Sequence, residues 1–230
     1  MRPGGTQSIP RPDDVRAGDQ PWWLDASTRV PPLGEITARV RAFAPAHHPD
    51  NAEFSQQWVE GARRSAVLVP LVPGDGGPSL ILTKRAGHLR NHGGEISFPG
   101  GRVEEGESVP EAALREAEEE IALPNGSVDL IGGLDPLTTF VSNSLIVPVV
   151  GVVGGFDPRR LRADPGEVEE VLIVRLEELL RADTYHNEWW PTPRGDINIH
   201  FFHLDSETIW GATARILRQF IEVCLGPRTS

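Results

Sequence analysis

The sequence contains one cysteine, one lysine, one methionine and one tyrosine in 230 residues. A lone Cys224 excludes an internal disulfide framework and any zinc site built from several cysteines. Lysine scarcity says little about function: of the 22 basic residues only Lys84 is not Arg, which reads as genome composition. No apolar run approaches the ~18 residues of a membrane helix, and the opening MRPGGTQSIPRPDD lacks the apolar core of a signal peptide. A cytoplasmic protein without a membrane partner is therefore expected. Positive charge is also short: 33 acids against 22 bases give a formal net charge of -11, which disfavours nucleic acid as a partner. The seven His form no metal motif, the i+4 pair His88 and His92 included, and Ser142 and Ser144 lack a nucleophile motif.

What is present is enough for a core. Hydrophobic residues make up 39% of the chain and charged residues 24%, a globular balance. Residues 1–30 open with Pro, Gly, Arg and Asp mixed without periodicity and read as a flexible tail, anchored by Trp22, Trp23 and Leu24. A single domain is expected over 31–230. Leu33, Ile36, Val40 and Phe43 recur at helical intervals over 33–46. SAVLVPLV (65–72) and SLILT (79–83), separated by PGDGGP, predict a hairpin. Further strands are expected over 128–134, 145–153, 171–174 and 196–204, a short helix over 176–180 and a closing helix over 209–225. Helices alternating with mixed strands imply an α/β sandwich.

The excess acidity is concentrated. Between 101 and 123 there are eight Glu against two Arg, a net of -6. Ser108-Val109-Pro110-Glu111 reads as a capping box that starts a helix. At about 100° per residue, Glu116, Glu119 and Glu120 share an arc of about 100°, and Pro110, Leu114, Ala117 and Ile121 form an apolar stripe beside it. A solvated face would interleave bases at i+4, whereas like charges so spaced cost about 0.2–0.5 kcal/mol per pair. Only Arg115 is available. A hard divalent cation such as Mg²⁺ or Mn²⁺ resolves the repulsion, since it takes carboxylate oxygens and completes its shell with water and phosphate. Just upstream, Phe98-Pro99-Gly100-Gly101 supplies two glycines where backbone can approach a metal or phosphate closely.

Gly101, five residues, Glu107, seven residues, then Arg115-Glu116-Ala117-Glu118-Glu119-Glu120-Ile121-Ala122-Leu123 closely resembles the Nudix box, G-x5-E-x7-R-E-U-x-E-E-x-G-U, with U aliphatic. Ala122 stands where the box has its second Gly, so helix termination is expected to move into Leu123-Pro124-Asn125-Gly126. Upstream, Ile81-Leu82-Thr83-Lys84-Arg85-Ala86, then Arg90, Gly94 and Phe98-Pro99-Gly100-Gly101, resembles the extended signature of coenzyme A pyrophosphatases. Ile209-Trp210-Gly211-Ala212-Thr213-Ala214-Arg215 is similar to that subfamily's closing helix.

The resemblance implies a Nudix-type α/β/α sandwich with a mixed β-sheet. It also implies metal-dependent hydrolysis of the pyrophosphate of coenzyme A or its thioesters, giving 3',5'-ADP and 4'-phosphopantetheine or its acyl derivative. Glu116, Glu119, Glu120 and the Gly101 carbonyl would hold Mg²⁺ or Mn²⁺, with Glu107 and Arg115 in support. Arg85, Arg90, Gly94, Phe98 and Gly100 would contact substrate, the two Arg through phosphate. Lys84, one residue along a strand, should point to the other face. The general base stays open between Glu116 and Glu167 or Glu170. His88 and His92 lie in the signature region, where contact with substrate is the alternative to a solvated loop. The alternatives are another nucleoside diphosphate derivative such as ADP-ribose or NADH, and a non-catalytic Nudix module for ligand sensing or protein interaction. A homodimer also stays open.

Overall fold

The two longest apolar strands of the chain lie side by side. In the computed structural model, which describes residues 2–5, 7–25, 27–45, 63–74, 76–89, 92–139, 144–193 and 195–226, the order begins β1 (Arg16–Ala17), α1 (Leu33–Ala42), β2 (Arg63–Val72), β3 (Ser79–Arg85), β4 (Ile96–Ser97). It continues β5 (Gly100–Arg102), α2 (Val109–Ile121), β6 (Val128–Gly133), β7 (Leu137–Thr139), β8 (Ser144–Val153), β9 (Val168–Arg175) and α3 (Leu176–Leu179). It closes with β10 (Tyr185–Trp190), β11 (Ile197–His203), β12 (Thr208–Trp210) and α4 (Gly211–Leu225). Strands β2 and β8 pair in parallel from Arg63↔Ser144 to Leu71↔Val152 and form the middle of an eight-stranded sheet that is otherwise antiparallel. Near-continuous apolar sequence is what a strand covered on both faces requires.

Those two faces carry two cores. On one, Val69, Leu71, Leu80, Leu82 and Val150 pack against Ile36 and Val40 of α1 and Leu217, Phe220 and Ile221 of α4. On the other, Ala66, Leu68, Ile81, Val149 and Val153 meet Ala112, Ala113, Ala117 and Ile121 of α2. The layers are the expected α/β/α sandwich around a mixed sheet. Three alanines let α2 settle close to the sheet, which decides how near its carboxylates come to the strands. Among the described residues no helix is long and apolar enough to cross a membrane.

A second, four-stranded sheet runs β1-β10-β11-β12. It takes in the N-terminal segment, which the sequence presents as an unstructured tail. Arg16 and Ala17 pair with Trp189 and Glu188, Gly4 N–H donates to the Leu204 carbonyl at 3.0 Å, and Arg11 grips Glu188 with two hydrogen bonds of 2.7 and 2.8 Å. Trp23, fully buried, stacks on Phe202 and meets Tyr185 edge-on. Isolated pairings of this kind leave no periodic trace. The expected hairpin is also smaller than its composition suggests: β2 and β3 pair only at Leu71↔Leu80 and Val72↔Ser79, and β3 finds its long partner in β9.

Helix α2 begins as its sequence dictates. Ser108 accepts from the Glu111 N–H while Glu111 accepts from the Ser108 N–H, the reciprocal capping box. Its end differs from the expectation. Ala122 itself adopts the left-handed conformation, φ 54° and ψ 34°, and closes the helix at Ile121, with Leu123 N–H donating back to the Ala117 carbonyl. An alanine in this region is strained by roughly 1 kcal/mol relative to glycine. Ala122→Gly is therefore expected to stabilise the protein by about that amount in urea denaturation; an unchanged or lowered midpoint would show that the turn costs nothing.

Candidate active site

The apolar stripe of α2 keeps Ala117 and Ile121 where the helical wheel places them, with Leu114 packed alongside, but it is wider than expected. Pro110 is exposed, whereas Ala112, Ala113, Ala117, Ile121 and Glu120 are buried. The buried arc is centred near Glu120, so this carboxylate is pressed against the sheet instead of standing beside the core. It is 2% exposed. Its Oε2 accepts the Gly100 N–H at 3.3 Å, and its Oε1 lies 3.8 Å from Arg85 Nη1. Burial pushes its pKa up to about 8, against the opposing pull of Arg85 and the Gly100 N–H.

The glycines have a steric purpose. Strand β5 pairs with β2 at Ser65↔Arg102, Ala66↔Gly101 and Val67↔Gly100, directly beside α2. A Cβ on Gly101 would stand 2.4 Å from the Glu116 carboxylate, and one on Gly100 would stand 2.4 Å from the Ala66 carbonyl. At Gly100 the obstacle is backbone and glycine is required, whereas at Gly101 a side chain would push the Glu116 carboxylate out of place.

Arg115 gathers the remaining acids. Its Nε and Nη2 donate to Glu107 at 2.8 and 3.1 Å, Nη1 to Glu116 at 3.0 Å and Glu119 at 2.9 Å, and Nη2 to the Arg102 carbonyl at 3.0 Å. These bonds, that to Glu107 first, raise the guanidinium pKa further above its ordinary value. In return Arg115, helped by the Glu104 N–H, holds the Glu107 carboxyl below the usual range. Glu116 is raised by burial, with Arg115 opposing and the charges of Glu119 and Glu167 adding to the rise. Glu119 stays exposed.

Loop 162–167 closes the far side. Arg162 and Asp164 N–H donate to the Ile121 and Glu120 carbonyls, and the Glu167 carbonyl accepts from Ala86 N–H. Glu167 thereby comes near enough for its charge to raise both Glu116 and Glu120. Glu170 sits further along β9, opposite Lys84. Strand alternation holds as expected: Lys84 turns away to Glu207 at 2.9 Å and Glu169 at 3.2 Å, while Arg85 turns to Glu120. Gly94, at φ 77°, ties its N–H to the Arg85 carbonyl. Phe98 is in the core, 2% exposed, so it anchors the glycine loop from beneath. Arg90 lies outside the described residues.

Sequence reasoning thus finds Gly101, Glu107, Arg115, Glu116, Glu119 and Glu120 in one place. It misses the burial of Glu120 and the Arg102 carbonyl as a partner of Arg115. The NUDIX domain profile matches residues 62–194. Over 193 residues the chain is 37% identical to the uncharacterized Nudix hydrolase NudL of Yersinia enterocolitica serotype O:8, covering 83% of this chain and 92% of that protein.

The chain belongs to the Nudix family.

The NudL protein of Yersinia pestis strain Pestoides F is 35% identical over 194 residues, 83% of this chain and 94% of its own. Among solved structures, a MutT/nudix family protein from Enterococcus faecalis shares 20% identity at a TM-score of 0.48, over 85% of this chain and 75% of that one.

The donors of the Nudix helix suit a hard divalent cation: carboxylates, a carbonyl in a glycine cradle, and one carboxyl buried far from bulk water. As the side chains stand, no three His, Cys, Asp or Glu among the described residues converge into a metal-holding group. Glu116 and Glu119 are instead paired with Arg115. A cation held by these carboxylates would have to compete with Arg115 for Glu116 and Glu119 and with a proton for Glu120.

Proposed function

We propose that this Nudix hydrolase cleaves the pyrophosphate of coenzyme A or its thioesters, releasing 3',5'-ADP and 4'-phosphopantetheine or the acyl derivative. The observation that carries this reading is the position of Arg85. The segment resembling the coenzyme A pyrophosphatase signature delivers its cation to within 3.8 Å of the buried Glu120, at the centre of the carboxylate site. Of that signature, Arg85 and Gly100 both meet Glu120 in space.

Glu116, Glu119, Glu120 and the Gly101 carbonyl are the residues that would hold Mg²⁺ or Mn²⁺. When bound, such a cation neutralises phosphate oxygens and makes water a stronger nucleophile. Arg85, together with Arg90, binds phosphate through a guanidinium fork. Arg115 and Glu107 fix the rotamers of the outer carboxylates. A carboxylate must take the proton of the attacking water; Glu116 and Glu167 are the candidates nearest the buried Glu120, and Glu170 is set further along β9. The Gly100 N–H and the closed loop 162–167 keep Glu120 away from bulk water, which strengthens each charge interaction inside.

Coenzyme A, acetyl-coenzyme A, ADP-ribose and NADH incubated with the protein and Mg²⁺ or Mn²⁺, with products resolved by chromatography, test the assignment. The coenzyme A compounds should be preferred by about tenfold or more in kcat/KM. Better turnover of ADP-ribose or NADH would overturn the substrate, and inertness toward all four would favour a ligand-sensing module.

A further inference from the structure

Two non-glycine residues among those described have positive φ: Ala122, which ends α2, and His92, at 59°. His92 lies in the loop that follows Arg85. Its residues 92–95 are tied to the end of β3. Arg85 N–H donates to the Glu95 carbonyl at 2.9 Å and Gly94 N–H to the Arg85 carbonyl at 3.0 Å. A Cβ on Gly93 would stand 2.9 Å from the Gly87 carbonyl. The turn is thus pinned to the residue that reaches Glu120, and His92 takes a conformation that Asn and Gly adopt more readily.

The core does not call for this ring. It is 54% exposed, and its one hydrogen bond among those described runs from Nδ1 to Glu95 Oε2 at 2.9 Å. That contact ties down Nδ1, and Nε2 has no hydrogen-bond partner among the described residues. Two charges act on it: Glu95, in its own loop, favours the imidazolium, and Arg85, from β3, opposes it, the net effect being a raised pKa. The electrostatic need is plain. Arg115 is committed to three carboxylates, which leaves Arg85, itself beside Glu120, to meet the several phosphate charges that the expected substrate carries into an acidic site.

We propose that His92 is a substrate-binding residue: held by Glu95 through Nδ1, it presents Nε2–H to a phosphate of the nucleoside diphosphate derivative. The inference rests on the pyrophosphohydrolase reading above but not on the identity of the substrate. An imidazolium attracts phosphate and a neutral ring does so weakly, so binding should weaken as pH rises through the His92 pKa.

His92→Asn keeps a residue that tolerates the left-handed backbone and removes the titrating ring. On whichever panel compound is hydrolysed, the variant should raise KM about tenfold near pH 6 and flatten its pH dependence, with kcat little affected. His92→Arg should restore KM while staying flat, and Glu95→Gln should move the wild-type inflection to lower pH. Independently of turnover, the His92 Cε1–H resonance followed by NMR should titrate at higher pH when 3',5'-ADP is added as the probe. A KM that is unchanged in His92→Asn at every pH, with a titration that 3',5'-ADP leaves in place, would overturn the role. A titration that moves while coenzyme A is not hydrolysed would keep His92 and remove only the coenzyme A assignment.

Discussion

Glu120→Gln is expected to stabilise the metal-free protein and to abolish its turnover. The carboxyl is buried in the fold with a pKa of about 8, whereas in the unfolded chain it titrates near an ordinary Glu, about 4.3. The folded state therefore holds this proton more tightly than the unfolded state. Its contribution to stability is fully present below about pH 4.3 and is lost as pH rises through about 8. Gln has nearly the same shape, can still accept the Gly100 N–H and never charges. The stability gap between variant and wild type should thus be small near pH 5 and grow to roughly 1–3 kcal/mol near pH 8. Melting both proteins in EDTA at these two pH values measures it.

Function should move the other way. If a divalent cation displaces the Glu120 proton, wild-type metal affinity rises with pH up to about 8, and the Gln variant, with no anion to offer, loses about 10³-fold or more in kcat. A site that is destabilising until its ligand arrives is the usual form of conflict between stability and activity. A Gln variant that hydrolyses substrate normally, or a stability gap that does not widen with pH, would remove Glu120 from the metal-binding set.

The reach of sequence reasoning follows the range of the interactions involved. Helix α2 was legible because its start is a local exchange between Ser108 and Glu111, and the Nudix box was legible because its acids recur within one helix. The burial of Glu120 was not, because it depends on which side of α2 the alanines turn to the sheet, and Ala112 and Ala113 carry too little hydrophobicity to announce it. Strand β10, YHNEWW, is polar at three successive places for a reason visible only in three dimensions: Asn187 bonds the Asp19 carbonyl and Asn198, and Glu188 bonds Arg11 and Trp190. Residues 2–5 and 7–17 contribute through contacts some 170 to 200 positions away, such as Arg2 with Glu178 and Gln7 with Glu207, and such contacts leave no local pattern. Strand β12 merged in part with the closing helix because Ile209 and Trp210 are apolar enough to continue its periodicity, and Gly211, at φ 63°, marks the change as the first residue of α4.

Arg115→Met should destabilise the protein and slow it, and the two losses should respond differently to metal. Met fills much of the same volume, so packing is largely kept while five hydrogen bonds vanish together. Glu107, Glu116 and Glu119 are left facing one another with no positive charge among them. A fully buried pair broken in this way costs about 3–5 kcal/mol, but Glu119 is exposed and water screens part of the repulsion, so about 2 kcal/mol is the better expectation. Turnover should fall about 100-fold, because the carboxylates no longer hold one geometry. Divalent metal should then recover part of the stability lost, since a cation among the carboxylates takes over the neutralising role of Arg115. In EDTA the variant should melt well below wild type, and with saturating Mg²⁺ the gap should narrow. A gap of the same size with and without Mg²⁺ would mean that these carboxylates form only a solvated face with an arginine strap, and that the repulsion built into α2 awaits no cation.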